Sequence, residues 1–233
     1  MSLNIIKGNI FTSNCQTIVN TINCVGAMGA GIALEYRLRY PDMYDKYTKL
    51  CDENRINIGM LWIYKTPGRW ILSFPTKRHW KYPSKLTYLD AGLKKFVATY
   101  KDKGIQSIAF PLLGADKGGI PQEDSLEIMK SYLEGLDIPV EIYKYVPEAE
   151  DDLYKKVRTY LLSQDVGYIS KSTGLRKDYV VNLLNAMQSN DIHQLNQLGK
   201  VQGIGVKTLE KVFHFARNSI SENHSFVRQR ELL

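Results

Sequence analysis

Over the first 145 residues, short apolar runs alternate with longer amphipathic stretches. The short runs predict strands near residues 3–8, 17–22, 59–64, 70–74, 106–110 and 140–145. The amphipathic stretches predict helices near residues 29–51, 87–103 and 122–135. Strands that alternate with helices indicate an α/β fold, in which a mixed, largely parallel sheet lies between helices on both faces as three layers.

The pattern changes after residue 145. Residues 146–152 contain one proline and four acids, which predicts a linker. Only helical spacing follows, near residues 153–162, 179–187, 192–198 and 208–216. We therefore predict an α/β domain over residues 1–146 and a small all-α domain over residues 151–233.

Two glycine-rich segments each follow a predicted strand. The first glycine loop is VGAMGAG (residues 25–31), and the second glycine loop is GADKGG (residues 114–119). Glycine lets backbone N–H groups approach a ligand closely, and a following helix adds its positive N-terminus, so such loops favour anions. Either loop alone is also explained as a tight strand-to-helix turn, but the pair suits a diphosphate held from two sides.

Positive charge is concentrated in one part of the chain. The net charge is +7, yet residues 65–103 hold ten Lys or Arg against two Asp, interleaved with Trp70, Trp80, Tyr82 and Tyr88. Basic residues beside aromatic rings suit phosphate contacts and base stacking, which favours nucleic acid as a partner. We assign this role to residues 77–85, called the basic segment, and the lysines beyond it to a solvated helix face.

Other composition features narrow the class of protein. Three cysteines and four histidines share no metal-ligand spacing, so we expect no metal, no cofactor and no disulfide framework. Cys24 adjoins the first glycine loop and fits either a reactive thiol or a small buried filler. No apolar run approaches the roughly 20 residues needed to span a bilayer, and the N-terminus lacks a signal-peptide pattern. We expect a soluble, cytoplasmic protein.

Several strings resemble those of macrodomains, an ADP-ribose-binding family. The opening strings are KGNI (residues 7–10), VNTIN (19–23) and MGAGIA (28–33). Two further strings, FPTKRHW (74–80) and LGADKGGI (113–120), resemble the DarG branch, the antitoxins that remove ADP-ribose from DNA bases. The resemblance covers about residues 1–145 and leaves the tail outside it.

The resemblance implies a set of ADP-ribose contacts. Adenine would be held at Asn9, where macrodomains carry an acid, and the distal ribose at Asn20 and Asn23, with Phe11 as a cover for adenine or a core residue. The two glycine loops would hold the phosphates. The whole implied set is Asn9, Ile10, Asn20, Asn23, Met28, Gly29, Ala30, Gly31, Ile32, Thr76, Gly114, Ala115, Asp116, Lys117, Gly118 and Gly119.

Lys77 is the implied catalytic residue. It matches the essential lysine of DarG proteins and of the related terminal ADP-ribose glycohydrolase. With a lowered pKa, Lys77 could attack the anomeric carbon or act as a general base, and in its protonated form it could stabilise the departing DNA base. The alternative is a non-catalytic surface lysine that contacts phosphate. Gly118 stands where that glycohydrolase has a catalytic aspartate, a departure that fits the DNA-base branch.

Nucleic-acid contacts are expected at two places. Beside Lys77 they are Arg78, His79, Trp80, Lys81 and Lys85. In the tail, residues 198–209 resemble a helix-hairpin-helix motif whose phosphate contacts would be Gly203, Gly205 and Lys207, although such hairpins also serve as protein scaffolds. Residues 169–180 resemble a helix-turn-helix motif with Gly174 in the turn.

The resemblance, together with these features, implies an enzyme, a glycohydrolase that removes ADP-ribose from thymidine in single-stranded DNA. The resemblance implies an antitoxin to a DarT-type DNA ADP-ribosyltransferase, with a tail that binds that toxin or DNA. The alternatives are a non-catalytic ADP-ribose reader tethered to nucleic acid, and a hydrolase of protein-linked ADP-ribose.

Overall fold

Six strands form one sheet in the N-terminal part of the chain. In this computed structural model the backbone is described for residues 3–230 and the side chains for residues 3–218. The sheet order is β1-β6-β5-β2-β4-β3, and every pair is parallel except β3 with β4. The strands are β1 (Leu3–Gly8), β2 (Thr17–Asn23), β3 (Trp62–Lys65), β4 (Trp70–Lys77), β5 (Ile108–Pro111) and β6 (Val140–Tyr145). The predicted mixed, largely parallel sheet is confirmed.

Helices cover both faces of this sheet. They are α1 (Gly31–Arg39), α2 (Pro41–Asp52), α3 (Leu86–Thr99) and α4 (Gln122–Leu133). The prediction of one helix over residues 29–51 was wrong, because Tyr40 leaves helical geometry at φ −135° and ψ 69° and Pro41 begins a new helix. Proline is favourable at a first helical position, where its missing N–H would have no partner.

Alternate strand residues supply two separate cores. On β2, Ile18 packs with Tyr36 and Met43 from the first two helices. Its neighbour Val19 packs on the other face with residues of α3 and α4 such as Phe96. This alternation follows from the period of two along a strand, and it produces the predicted three layers.

The rest of the described chain is helical. Its elements are α5 (Tyr154–Leu162), α6 (Val166–Thr173), α7 (Lys177–Gln188), a 3₁₀ turn (Leu195–Lys200) and α8 (Val206–Arg230). The chain divides into two compact units between Val146 and Pro147. The helix predicted near residues 192–198 is replaced by the 3₁₀ turn.

The acidic run after β6 belongs to the second unit. The carbonyl of Pro147 accepts a hydrogen bond from Gln197 Nε2 at 2.6 Å, and Asp151 Oδ2 accepts one from the Leu195 amide at 2.7 Å. Asp151 is only 6% exposed. The predicted linker is therefore packed against the 3₁₀ turn. Within residues 3–230, no helix is long and apolar enough to cross a membrane.

Candidate active site

Three segments meet at the carboxyl edge of the sheet. The neighbouring parallel strands β5, β2 and β4 end at Pro111, Asn23 and Lys77. The second glycine loop follows β5, the first follows β2, and the basic segment begins at the last residue of β4. Ligands of parallel α/β sheets bind at this edge, so the order of strands brings the predicted phosphate loops and the lysine to one place.

Asn23 fixes the shape of the first glycine loop. Its Oδ1 accepts hydrogen bonds from the amides of Val25 at 3.0 Å and Ala27 at 3.2 Å, and its Nδ2 donates to the Ala27 carbonyl at 2.6 Å. The hydroxyl of Tyr47 donates to the Asn23 carbonyl at 2.7 Å. The amide of Asn23 is thus engaged within the loop, which gives this residue a structural role besides the predicted ribose contact.

The remainder of the first loop is open. Gly29, Ala30 and Gly31 are exposed, while Met28 is buried and anchors them. A Cβ added at Gly29 would meet no heavy atom within 4 Å. Among the described residues, no backbone acceptor takes the amides of residues 28–33. Successive amides without partners at a helix N-terminus form an anion site.

The second loop has a strained backbone. Positive φ angles occur at Gly114 (66°), Asp116 (45°) and Gly119 (80°). The amides of Ala115, Asp116 and Lys117 likewise have no acceptor within the described chain. A non-glycine residue in this region is uncommon and often marks a functional loop, so the second loop also suits an anion.

Glycine is required in the second loop for space as well. A Cβ at Gly114 would lie 2.7 Å from Ile120 Cδ1, and one at Gly118 would lie 2.8 Å from Ser84 Oγ. Ser84 belongs to the basic segment, and its amide donates to the Gly118 carbonyl at 2.9 Å. A side chain at position 118 would therefore require the Ser84 side chain to shift.

Lys77 connects the glycine loops. Its Nζ donates a hydrogen bond to the carbonyl of Lys117 in the second loop, and burial lowers the pKa of this lysine from its ordinary value. Its own carbonyl accepts from Cys24 Sγ, next to the first loop, at 3.4 Å. The loops are themselves adjacent, since a Cβ at Gly31 would lie 3.7 Å from Lys117 Cγ. Burial raises the pKa of Cys24 to about 11, which favours a filler over a reactive thiol.

The side chains predicted near adenine and ribose are buried. Asn9 Oδ1 accepts from the Phe11 amide at 3.1 Å, while its Nδ2 has no hydrogen-bond partner in the described chain. Phe11 lies under the Arg39 guanidinium, 3.9 Å from its ring centroid, and is a core residue. Ile10 and Thr76 are also buried, and Asn20 is fully buried with its Oδ1 unpartnered.

The basic segment presents aromatic rings to solvent. Trp80 is 54% exposed, and its ring stacks with His79 at a centroid distance of 5.4 Å. Lys81 Nζ lies 5.3 Å from the Trp80 centroid. Arg78 and Lys85 flank Tyr88 at 5.9 Å and 5.7 Å. Exposed rings with cations beside them match the requirements of single-strand binding.

The two tail motifs border one groove within the second unit. Gly174 ends α6 at φ 66°, and Gly203, at φ 84°, lies three residues before α8. The groove has a volume of about 680 Å³ and is lined by both of these segments, including Arg176 and Lys207. The sequence gives no sign that these two segments are neighbours, whereas in the structure both line the same groove.

Ser84 is the residue that sequence reasoning missed. A serine in the string YPSK has no distinctive chemical signal, and only the packing against Gly114 and Gly118 reveals it.

Within the described side chains, no cluster of three or more His, Cys, Asp or Glu could hold a metal ion.

Comparisons with known proteins identify the family of the first unit. The Macro domain family model matches residues 19–129. The macrodomain of Mycobacterium tuberculosis DarG superposes with a TM-score of 0.59 at 38% identity, over 61% of this chain and 97% of that one. The chain belongs to the macrodomain family. The macrodomain lies in the first unit, and the matched residues contain both glycine loops and Lys77.

Two further relatives extend beyond a macrodomain. The DNA ADP-ribosyl glycohydrolase of Thermus aquaticus is 37% identical over 149 residues, which is 62% of this chain and 41% of that protein. The structure of Thermosipho africanus DarTG in complex with ADP-ribose matches with a TM-score of 0.60 and 34% identity, over 64% of this chain and 43% of that one. The chain thus spans about two-fifths of the length of its curated relatives.

Proposed function

We propose that this macrodomain protein is a DNA ADP-ribosyl glycohydrolase, which cleaves the N-glycosidic bond between ADP-ribose and thymidine in single-stranded DNA. The cleavage restores the base, so the activity repairs DNA. A protein with this activity would act as the antitoxin of a DNA ADP-ribosyltransferase. Relatives at 37–39% identity carry the name DNA ADP-ribosyl glycohydrolase, which supports the proposal.

The observation that carries the proposal is the position of Lys77. Its Nζ donates to the second loop and its carbonyl accepts from Cys24 beside the first, so the residue adjoins two loops whose amides suit a diphosphate, and burial lowers its pKa. Bound ADP-ribose would place its distal ribose beyond the second phosphate, near this nitrogen. A lysine with a lowered pKa is able to act as nucleophile or base, and a protonated one to stabilise the departing base.

The pH dependence of turnover separates these roles. If Lys77 acts unprotonated, the rate rises with pH through its lowered pKa. If it acts protonated, the rate falls over the same range.

The basic segment supports DNA as the carrier of the modification. It continues directly from Lys77 and presents the exposed Trp80 and Tyr82 rings between cationic side chains. Stacking on such rings contributes about 1–3 kcal/mol per base with little sequence preference. A single strand held there has its bases close to the lysine.

The direct test is release of ADP-ribose from a thymidine-modified single-stranded oligonucleotide. The same assay on a protein carrying ADP-ribose on an acidic side chain is the matched comparison. We expect turnover of the DNA substrate, with little on the protein substrate. Preference for the protein substrate would favour a protein-linked ADP-ribose hydrolase; ADP-ribose binding without any turnover would favour a reader.

The helical unit has two candidate partners, DNA and a toxin of DarT type. The toxin is motivated by Thermosipho africanus DarTG, a relative in which transferase and glycohydrolase are fused in one protein. The groove with Gly203, Gly205 and Lys207 motivates DNA as the partner.

Removal of residues 147–233 tests these two partners and should leave an active macrodomain. If the tail holds DNA, the salt dependence of DNA affinity becomes shallower by about one phosphate contact in the truncated protein. Unchanged DNA affinity would favour the toxin.

A further inference from the structure

Ser84 is buried without a hydrogen-bond partner for its hydroxyl. The residue is 7% exposed, and its Oγ has no acceptor or donor within reach among the described residues. A buried hydroxyl in this state costs about 1–3 kcal/mol. Such groups are rare in folded proteins and call for a physical reason.

The hydroxyl is directed at the second glycine loop. Its Oγ lies 2.8 Å from the position that a Cβ of Gly118 would occupy, and Ser84 Cβ lies 3.2 Å from that of Gly114. Ser84 therefore packs against both glycines that flank residues 115–117. The amides of those three residues also have no acceptor within the described chain.

Two hydrogen bonds join the loop to the basic segment, while these three amides have no acceptor among the described residues. Lys77 Nζ donates to the Lys117 carbonyl, and the Ser84 amide donates to the Gly118 carbonyl at 2.9 Å. The anchored loop and Ser84 thus hold three amide donors and one hydroxyl donor without acceptors among the described residues. An anion with several acceptor oxygens, such as a phosphate, satisfies a set of this kind.

We propose that Ser84 is an ADP-ribose-binding residue whose hydroxyl donates to a phosphate oxygen once ligand binding moves Gly118 of the second loop off it. The inference rests on the proposed function, since it takes ADP-ribose as the ligand. The bond is absent in the free protein, where Gly118 covers the hydroxyl, and forms only in the complex. Ser84 therefore opposes the stability of the free protein and favours the bound state.

The substitution Ser84→Ala gives effects of opposite sign. Loss of the unpartnered hydroxyl raises the melting temperature of the free protein by about 2 °C or more. Affinity for ADP-ribose and for ADP falls about tenfold, as expected for a hydrogen bond to a charged group. Calorimetric titration of the full chain with both nucleotides, together with thermal unfolding of the free protein, measures these quantities.

Tyr154→Phe is the matched control. The Tyr154 hydroxyl is also buried, but it lies in the helical unit beside Arg158. Its removal should leave both affinities unchanged.

The other outcomes overturn the inference at different points. Wild-type affinity in Ser84→Ala, or a lower melting temperature, removes the role assigned to the hydroxyl. Weaker ADP-ribose binding with unchanged ADP binding assigns the hydroxyl to the distal ribose and overturns the phosphate contact. A wild type that binds neither nucleotide refutes the proposed function and this inference with it.

Discussion

A side chain added at Gly29 in the first glycine loop would meet no atom within 4 Å, whereas one at Gly114 in the second would lie 2.7 Å from Ile120 Cδ1. The two loops have similar sequences and both leave backbone amides free. At Gly29 in the first loop, the fold leaves room for a larger residue, so we attribute this glycine to the proposed close approach of a ligand. In the second, glycine is required by the fold before any ligand is present.

This difference predicts which substitutions weaken ligand binding and which lower the free energy of unfolding. A substitution at Gly29 in the first loop should affect the ligand without affecting the fold, whereas Gly26 and Gly31 have positive φ angles that a side chain would strain. Substitutions at Gly114 and Gly118 in the second loop should affect the fold first, because these glycines pack against Ser84, Leu89 and Ile120. The following predictions test this separation, beginning with the largest effect.

Gly114→Ala should destabilise the protein by about 3 kcal/mol, from left-handed backbone strain and overpacking together. Gly119→Ala is the control, because Gly119 has a similar φ of 80° but no atom within 4 Å of an added Cβ. It should lose about 1 kcal/mol from strain alone. Denaturant unfolding measures both, and equal losses would show that packing does not distinguish these glycines.

Gly29→Ala should weaken ADP-ribose binding about tenfold while changing the free energy of unfolding by less than about 0.5 kcal/mol. The added methyl would occupy the space through which a phosphate approaches the amides. Gly68→Ala, in the turn after β3, is equally unhindered and should change neither quantity. Unaltered affinity in Gly29→Ala would mean that the ligand does not approach the first loop closely.

Asn9→Asp concerns the adenine end, which neither glycine loop serves. The carboxylate removes the unpartnered Nδ2 and adds a charged acceptor, so ADP-ribose binding should tighten by roughly 1 kcal/mol. Ribose 5-phosphate, which lacks adenine, should bind the two proteins equally. Weaker binding of ADP-ribose would mean that desolvation of the buried carboxylate outweighs the new contact.

The elements of the sheet could be predicted because residues close together in the sequence determine them. Short apolar runs separated by amphipathic stretches define strands and helices, and the loops after β2 and β5 follow from the order of the elements. The break at Tyr40 was missed because amphipathic spacing continues across Pro41. The packing of the acidic run could not be predicted, because Gln197 and Leu195, which bond to Pro147 and Asp151, lie more than forty residues away along the chain.

Only those parts of the candidate site that lie in recognisable sequence motifs could be predicted. The glycine loops and Lys77 have residue types that signal their chemistry. The engagement of Asn23 within its own loop and the packing of Ser84 against Gly118 arise from contacts between segments. Composition does not encode such contacts, so the sequence suggested a ribose contact for Asn23 and no role for Ser84.

The central claim is that Lys77 acts in the chemical step rather than in binding. The test measures two quantities in Lys77→Ala: the single-turnover release of ADP-ribose from a thymidine-modified oligonucleotide, and the Kd for ADP-ribose. Lys94→Ala, at an exposed position on α3, is the control. We predict that Lys77→Ala lowers the rate at least about 10²-fold and changes the Kd by less than about threefold. An unchanged rate, or a loss of affinity as large as the loss of rate, would contradict the account.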